Sequence, residues 1–159
     1  MRLITLNGVK LLVYLNGMIL RYSDKEQGNH LKKGWNEVKG CINYYGYLVI
    51  RINGKNILKH RIIAYAFLGL DINNSKQQID HIDRNKLNNN MNNLRIVTSQ
   101  ENMFNRNAKG YNKKGKKYQA NIKINNKTIY LGTFDTEEEA RNAYLEAKEK
   151  YHIIPEAQD

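Results

Sequence analysis

Apolar positions along the chain change period several times, and each change marks an element. Leu11 to Leu15 and Met18 to Arg21 flank Asn16-Gly17, while Tyr47 to Ile52 and Lys55 to Leu58 flank Asn53-Gly54. Asn-Gly between alternating apolar runs favours a two-residue type I′ turn, so two hairpins are expected before residue 58. Between them Ser23 to Gly40 is polar, and Trp35, Tyr44, Tyr45 and Tyr47 add aromatic bulk that serves either as scaffold or as contact surface. From Lys59 the spacing of Ile62, Ile63, Ala66 and Phe67 places four apolar side chains on one helical face and predicts a short helix to about Leu68, ended by Gly69. Gln78 to Ile82 then reads as a strand, with Asp80 and His81 between two isoleucines. Asn88, Asn89, Asn90, Asn92 and Asn93 follow as a loop, because Asn tolerates left-handed backbone and bonds its own main chain. Leu94 to Val97 reads as a second strand. Thr98 and Glu101 form a capping box that starts a helix at about residue 99.

The last segment has a different character. Lys117 to Ile124 alternates, with Tyr118, Ala120, Ile122 and Ile124 on one face and Gln119, Asn121 and Lys123 on the other; Asn125-Asn126 turns the chain and Lys127 to Phe134 returns. Thr136 with Glu139 is another capping box, and Ala140, Ala143, Tyr144 and Ala147 mark one face of a helix to about Lys150. Tyr118 and Phe134 fall on the apolar side and are expected in the core. The expected class is α+β: β-hairpins and a strand–loop–strand–helix unit over residues 1–104, a basic linker over 105–112, and a small antiparallel sheet packed on one helix over 113–159.

Composition sharpens this division. Hydrophobic residues make up 41% of 159, lean for one compact core and adequate for two small ones. The net charge is +11, and its placement is uneven. Arg106 to Lys127 holds eight basic residues and no acidic one, whereas Thr128 to Asp159 holds three basic against eight acidic. Such a stripe suits a phosphate-rich partner, because Lys and Arg displace condensed counterions. One cysteine, Cys41, permits neither an internal disulfide nor a Cys-x-x-Cys zinc knuckle. The longest apolar run, Ile62 to Leu70, is far short of the ~18 residues of a membrane span. The opening MRLITLNG lacks an export signal, so the expectation is a protein that stays in the cell, in contact with no membrane.

Asp80, His81, Asn93 and Asn102 form the candidate chemical constellation, on a strand, a loop end and a helix. Phosphodiester hydrolysis needs a base to deprotonate water, a divalent cation against the phosphate charge, and a support that holds the base. His81 ordinarily titrates near neutrality and is the candidate base. Asp80 offers a hard carboxylate oxygen and Asn102 an amide oxygen, donors that suit Mg²⁺ or Mn²⁺. Asp83 reads either as an alternative metal ligand or, by preference, as the turn residue that opens the Asn-rich loop. His60 and Arg61 open a helix, where phosphate contact and a helix-packing or capping role are equally open; His30 and His152 read as surface residues.

His60-Arg61-Ile62-Ile63-Ala64 to Phe67, Ile79-Asp80-His81-Ile82-Asp83, Asn88-Asn89, Asn93 to Thr98 and Glu101-Asn102 together resemble the HNH endonucleases of phage and mobile introns. That resemblance implies a ββα-metal fold, His81 as general base, Asn93 steadying its loop, and Asp80 with Asn102 on one Mg²⁺ or Mn²⁺ ion. It implies no structural zinc. Gly115 to Ile122, Tyr130-Leu131-Gly132-Thr133-Phe134 and Glu138-Glu139-Ala140 to Tyr144 look like the Apetala/ethylene-response-factor (AP2/ERF) DNA-binding domain, which lays a three-stranded sheet in the major groove. The resemblance implies that Asn121, Lys123 and Tyr130 face DNA. Lys and Tyr stand where that domain usually has Arg and Trp, which implies looser sequence reading. Lys113, Lys114, Lys116, Lys117, Lys127, Arg61, Arg95 and Arg106 complete the expected DNA-contact set. The resulting expectation is a phage homing-type endonuclease in the bacterial cytoplasm, a monomer on double-stranded DNA that nicks one strand. Its rival is a DNA-binding regulator with a degenerate centre.

Overall fold

The computed structural model describes residues 1–26 and 31–154, so His30 lies outside the described residues. The class is α+β. In chain order the elements are β1 (Arg2–Leu6), β2 (Val9–Val13), β3 (Ile19–Ser23), β4 (Gly34–Glu37), β5 (Cys41–Ile42), β6 (Leu48–Ile52), β7 (Lys55–Leu58), α1 (Lys59–Phe67), β8 (Gln78–His81), β9 (Leu94–Val97), α2 (Ser99–Phe104), β10 (Tyr111–Lys114), β11 (Lys117–Ile124), β12 (Lys127–Phe134) and α3 (Glu137–Tyr151). They form sheets β1-β2-β3-β4, β5-β6-β7, β8-β9 and β10-β11-β12. The chain divides into compact units of residues 1–96 and 97–159. The division falls ahead of the 105–112 segment expected as linker, and α2 goes with the second unit.

The first unit begins with a hairpin that the sequence reading left out. Asn7 and Gly8 both take positive φ, 48° and 77°, and join β1 to β2 as a type I′ turn. Asn53 and Gly54 do the same at 46° and 79°, as expected. Asn16-Gly17 departs from the expectation. Here only Gly17 has positive φ, at 88°; Gly17 N–H donates to Tyr14 O (3.0 Å) and Tyr14 N–H to Met18 O (2.9 Å), a three-residue loop closed by a left-handed glycine. The reason is tertiary: Leu15 O in this loop accepts from Met91 N–H at 2.8 Å, and a Cβ on Gly17 would come within 2.6 Å of Asn89 O. The same dipeptide follows local preference at 53–54 and packing at 16–17.

One core serves the unit. Leu11, Val13 and Ile19 from the first sheet meet Ile50 and Ile52 from β6, Ile62, Ile63, Ala64 and Ala66 from α1, and Ile79 and Leu94 from β8 and β9. Seven of these (Leu11, Val13, Ile19, Ile50, Ile52, Ile62 and Ile63) are large and fully buried, each stabilising the fold by about 1.5–3 kcal/mol. Arg61 on α1 donates to the carbonyls of Gln77 (2.9 Å), Ile72 (3.2 Å) and Asn74 (3.3 Å), fixing the approach to β8.

In the second unit β11 pairs antiparallel with β10 and β12, with a bulge between Ala120 and Asn121. β10 begins at Tyr111, inside the 105–112 segment expected as linker, because the sequence pattern of this strand was faint. Thr136 and Glu139 make the expected capping box, and α3 buries Ala140, Tyr144 and Ala147. Tyr118 and Phe134 pack against the cluster of Tyr111, Ala120 and Ala140. Gly110, with φ of 80°, lies against the Tyr144 ring so closely that a Cβ would overlap it at 1.9 Å. Among the described residues no helix is long and apolar enough to cross a membrane.

Candidate active site

The loop between β8 and β9 is held by one asparagine. Asn93 Oδ1 accepts from Asp83 N–H (3.0 Å), and its Nδ2 donates to Asp83 Oδ1 (2.8 Å) and Asn88 O (2.9 Å). Its carbonyl takes the N–H of Ile82 (2.9 Å), so one residue closes both ends of the loop. Asp83 anchors the inside of the turn: its carboxylate also accepts from Asn85 N–H (2.8 Å) and Asn88 Nδ2 (2.7 Å). The bonds from Asn88 and Asn85 hold its carboxyl below the ordinary range. These contacts give Asp83 the turn role expected for it. Asparagine suits the segment because its short amide both donates and accepts, bonding the main chain at Asp83 N–H and Asn88 O and the carboxylate of Asp83.

His81, at the end of β8, is 5% exposed. Burial lowers its pKa from the ordinary value, opposed by hydrogen bonding to Asn89 and by the charges of Asp83 and Asp80. The ring is therefore neutral at neutral pH and able to accept a proton. Asn89 is equally buried. Its Nδ2 donates to Leu87 O (2.9 Å) and lies 3.5 Å from Lys86 O, which fixes the amide. Behind Asn89 stands Gly17 of the β2–β3 loop. The first sheet thus props the loop that carries the candidate base.

Two aromatic rings enclose the imidazole. His60, at the start of α1, meets it edge-on with centroids 5.1 Å apart, and Tyr47 lies 6.1 Å away; Tyr47 and His60 are themselves in edge contact at 5.2 Å. Burial, with like charge from His81 and Arg61, pushes the His60 pKa down to about 3. Neutral at neutral pH, His60 packs against the ring of His81.

Asp80 is 6% exposed and receives Arg95 in a two-pronged contact: Nη2 at 2.7 Å and Nε at 2.9 Å, both to Oδ2. Arg61 and Arg95, expected on DNA, are thus committed to the protein: the first to backbone carbonyls, the second to a buried carboxylate whose charge it balances. Asn102 lies in α2, one turn after the Thr98 cap, with its N–H bonded to Thr98 O (3.0 Å). A carboxylate and an amide oxygen are each hard donors of the kind that magnesium or manganese takes alongside retained waters.

In the second unit Lys113, Lys114, Lys116, Lys117, Lys123 and Lys127 are exposed, as are Arg106 and Tyr130, while Asn121 is half-buried. Lys117 pairs with Asp135 at 3.1 Å, and the Tyr130 hydroxyl bonds that of Thr133 at 2.7 Å. His152, expected at the surface, is half-buried: its ring stacks on Phe104 at 4.0 Å and its Nε2 lies 3.2 Å from Lys123 O. The stripe of side chains read from sequence is present at the surface of the sheet.

This arrangement has known counterparts. Residues 58–104 match the HNH endonuclease family. The HNH segment runs from the end of β7 to the end of α2 and contains all four residues of the candidate constellation. An uncharacterized HNH endonuclease, L560, of Acanthamoeba polyphaga mimivirus is 42% identical over 72 residues, 42% of this chain and 38% of that protein. The H-N-H endonuclease F-TflII of Escherichia phage T5 is 39% identical over 59 residues, 36% of this chain and 31% of that protein. The chain therefore spans less than two-fifths of the length of these relatives. A solved structure described as DNA binding and cleavage by the HNH homing endonuclease I-HmuI superposes with a TM-score of 0.45 at 28% identity, over 66% of this chain and 57% of that one.

What sequence reasoning missed in the HNH segment is its support. Asn89 was one asparagine among five, with nothing in its neighbours to mark it as the inward-facing one. Gly17 was assigned to a local turn, and the pairing of Asp80 with Arg95 required knowing that β8 and β9 are neighbours.

Proposed function

We propose that the chain is a metal-dependent DNA endonuclease in which His81 is the general base. The observation that carries this reading is a buried, neutral imidazole at the end of β8, on a loop clamped by Asn93, within the segment that matches HNH endonucleases. His81 takes a proton from water as the water oxygen bonds to phosphorus, and the bond from phosphorus to the 3′ oxygen breaks. Asn93 keeps the base in place, and the walls formed by Tyr47 and His60 limit the orientations the ring can adopt. Asp80 and Asn102 would hold one Mg²⁺ or Mn²⁺ ion, which when bound supplies positive charge against the phosphate and the departing oxygen. Arg95 keeps the Asp80 carboxylate oriented.

The sheet β10-β11-β12 with α3 acts, in this reading, as an AP2/ERF-like DNA-binding domain whose lysine stripe supplies affinity for double-stranded DNA. A single centre nicks one strand, in a monomer of the phage homing type working in the cytoplasm of a bacterial host. The rival, a DNA-binding regulator without catalysis, shares the stripe but has no use for a neutral imidazole beside a buried aspartate. Incubating the purified protein with supercoiled plasmid and Mg²⁺ or Mn²⁺, beside an EDTA control, separates the two. Conversion to open circle only with metal is the expected result. Plasmid that is shifted on a gel yet stays supercoiled in both metals rejects the endonuclease.

A further inference from the structure

The β5–β6 hairpin displays two tyrosines that its own turn does not require. Asn43 organises this turn: its Oδ1 accepts from the N–H groups of Tyr45 and Tyr47, each at 3.0 Å, its N–H donates to Tyr47 O (2.9 Å), and its carbonyl accepts from Gly46 N–H (2.9 Å). Gly46 provides the left-handed residue, with φ of 81°. Positions 44 and 45 contribute only main chain, and small polar residues are the ordinary choice there. Yet Tyr44 is 96% exposed and Tyr45 70%, with their rings edge to face 5.4 Å apart. The turn presents them on a fixed backbone, and their exposure adds nothing to the stability of the core.

The tip is fastened to the candidate active site. Lys86, on the loop that follows His81, donates from Nζ to Tyr45 O (3.0 Å) and stands 4.6 Å above the ring of Tyr47, which borders His60 and His81. Arg84 is exposed on the same loop, and its N–H donates to His81 O at 2.8 Å. Two exposed tyrosines therefore stand beside the Lys86 ammonium, and Arg84 adds a second exposed cation on the loop that follows the proposed base. Aromatic rings take the π-face of a base that is unstacked from its neighbours, as at a kinked duplex step, and the cations take phosphate, a pairing that suits nucleic acid and repels a basic partner.

We infer that Tyr44 and Tyr45 are a stacking platform for bases that flank the scissile phosphate, with Lys86 and Arg84 on the adjoining phosphates. The inference rests on the endonuclease reading and adds to it a contact independent of the C-terminal sheet. It places base contact in the catalytic unit itself, and it gives the aromatic cluster before β6 a role in positioning DNA.

The test uses the full chain with Tyr44→Ala/Tyr45→Ala and Tyr44→Phe/Tyr45→Phe, whose thermal midpoints should match wild type because both side chains are exposed. Binding is followed in EDTA with a short fluorescein-labelled duplex, and nicking of supercoiled plasmid is followed in Mg²⁺. The alanine pair should lower both by about tenfold or more with the salt dependence of binding unchanged, since stacking rather than phosphate contact is lost. The phenylalanine pair should behave as wild type. Equal binding and nicking by the alanine pair would overturn the platform while leaving the endonuclease reading intact. Self-association in sedimentation that the alanine pair alone loses, with DNA binding unchanged, would reassign the tyrosines to a second copy of the chain. A wild type that binds duplex but nicks nothing would reject the endonuclease, and the binding arm would still decide whether the tyrosines touch DNA.

Discussion

The β8–β9 loop and the β10–β12 sheet are both rich in polar residues, and they use them in opposite ways. Around Asp83 and Asn93 the side chains bond one another and the main chain, and His81, Asp80 and Asn89 are buried. Along Lys113 to Lys127 the lysines stand in solvent on antiparallel strands. The difference reflects what each must deliver. A base has to be held within a fraction of an ångström, so its loop is cross-bonded and propped from behind. Affinity for a polyanion depends on charge density, which needs exposed cations and tolerates their movement.

That contrast predicts a graded response to mutation. Removing the clamp should cost most: Asn93→Ala leaves Asp83, Asn88 and Ile82 without a fixed loop and should lower the plasmid-nicking kcat by about 10²-fold, the scale of a small misplacement of a catalytic group. DNA affinity should stay near wild type in the gel-shift assay. Asn89→Ala should follow, with a loss of about tenfold in kcat and little change in KM, because the ring is then less well oriented. Its separate signature is in the imidazole ¹⁵N resonances of His81, which should shift towards a mixture of tautomers.

Gly17→Val carries the comparison into the first sheet. A Cβ there meets Asn89 O at 2.6 Å, and the left-handed backbone costs a non-glycine residue about 1–2 kcal/mol. Lowered thermal stability together with reduced kcat is expected; unchanged kcat in folded protein would show that the prop does not reach His81. The triple variant Lys113→Gln/Lys114→Gln/Lys116→Gln should do the reverse. Binding should weaken, with the slope of log K against log salt falling by about one per lysine that touches phosphate, while kcat at saturating DNA holds.

The last effect concerns pH and is absent at neutrality. His60 is held neutral to about pH 3, whereas in the unfolded chain it protonates near 6.5. The unfolded state thus binds the extra proton first. This contribution is complete above 6.5 and declines as pH falls towards 3, by up to ~1.4 kcal/mol per pH unit for one group. Urea unfolding should show that slope in wild type and a shallower one in His60→Phe.

How far the sequence reached also follows the contrast. The lysine stripe, the Asn125-Asn126 hairpin and both capping boxes were legible because each depends on residues close together in the chain. The order of Asp80, His81, Asn93 and Asn102 was legible because the HNH pattern is carried by spacing. Contacts over long separations were not: Arg95 on Asp80, His60 against His81, and Leu15 and Gly17 behind the loop of Asn89. Asn16-Gly17 shows the reason most clearly. Its local preference is a two-residue turn, and the docking of residues 89–91 selects another.

The central claim is that His81 performs the proton transfer, and it is tested most directly by comparing wild type with His81→Ala at matched DNA occupancy, set by gel shift, in Mg²⁺. The account predicts open-circle formation by wild type and a rate about 10²–10⁴-fold lower in the variant, the ordinary contribution of a general base. Equal rates at equal occupancy would contradict it.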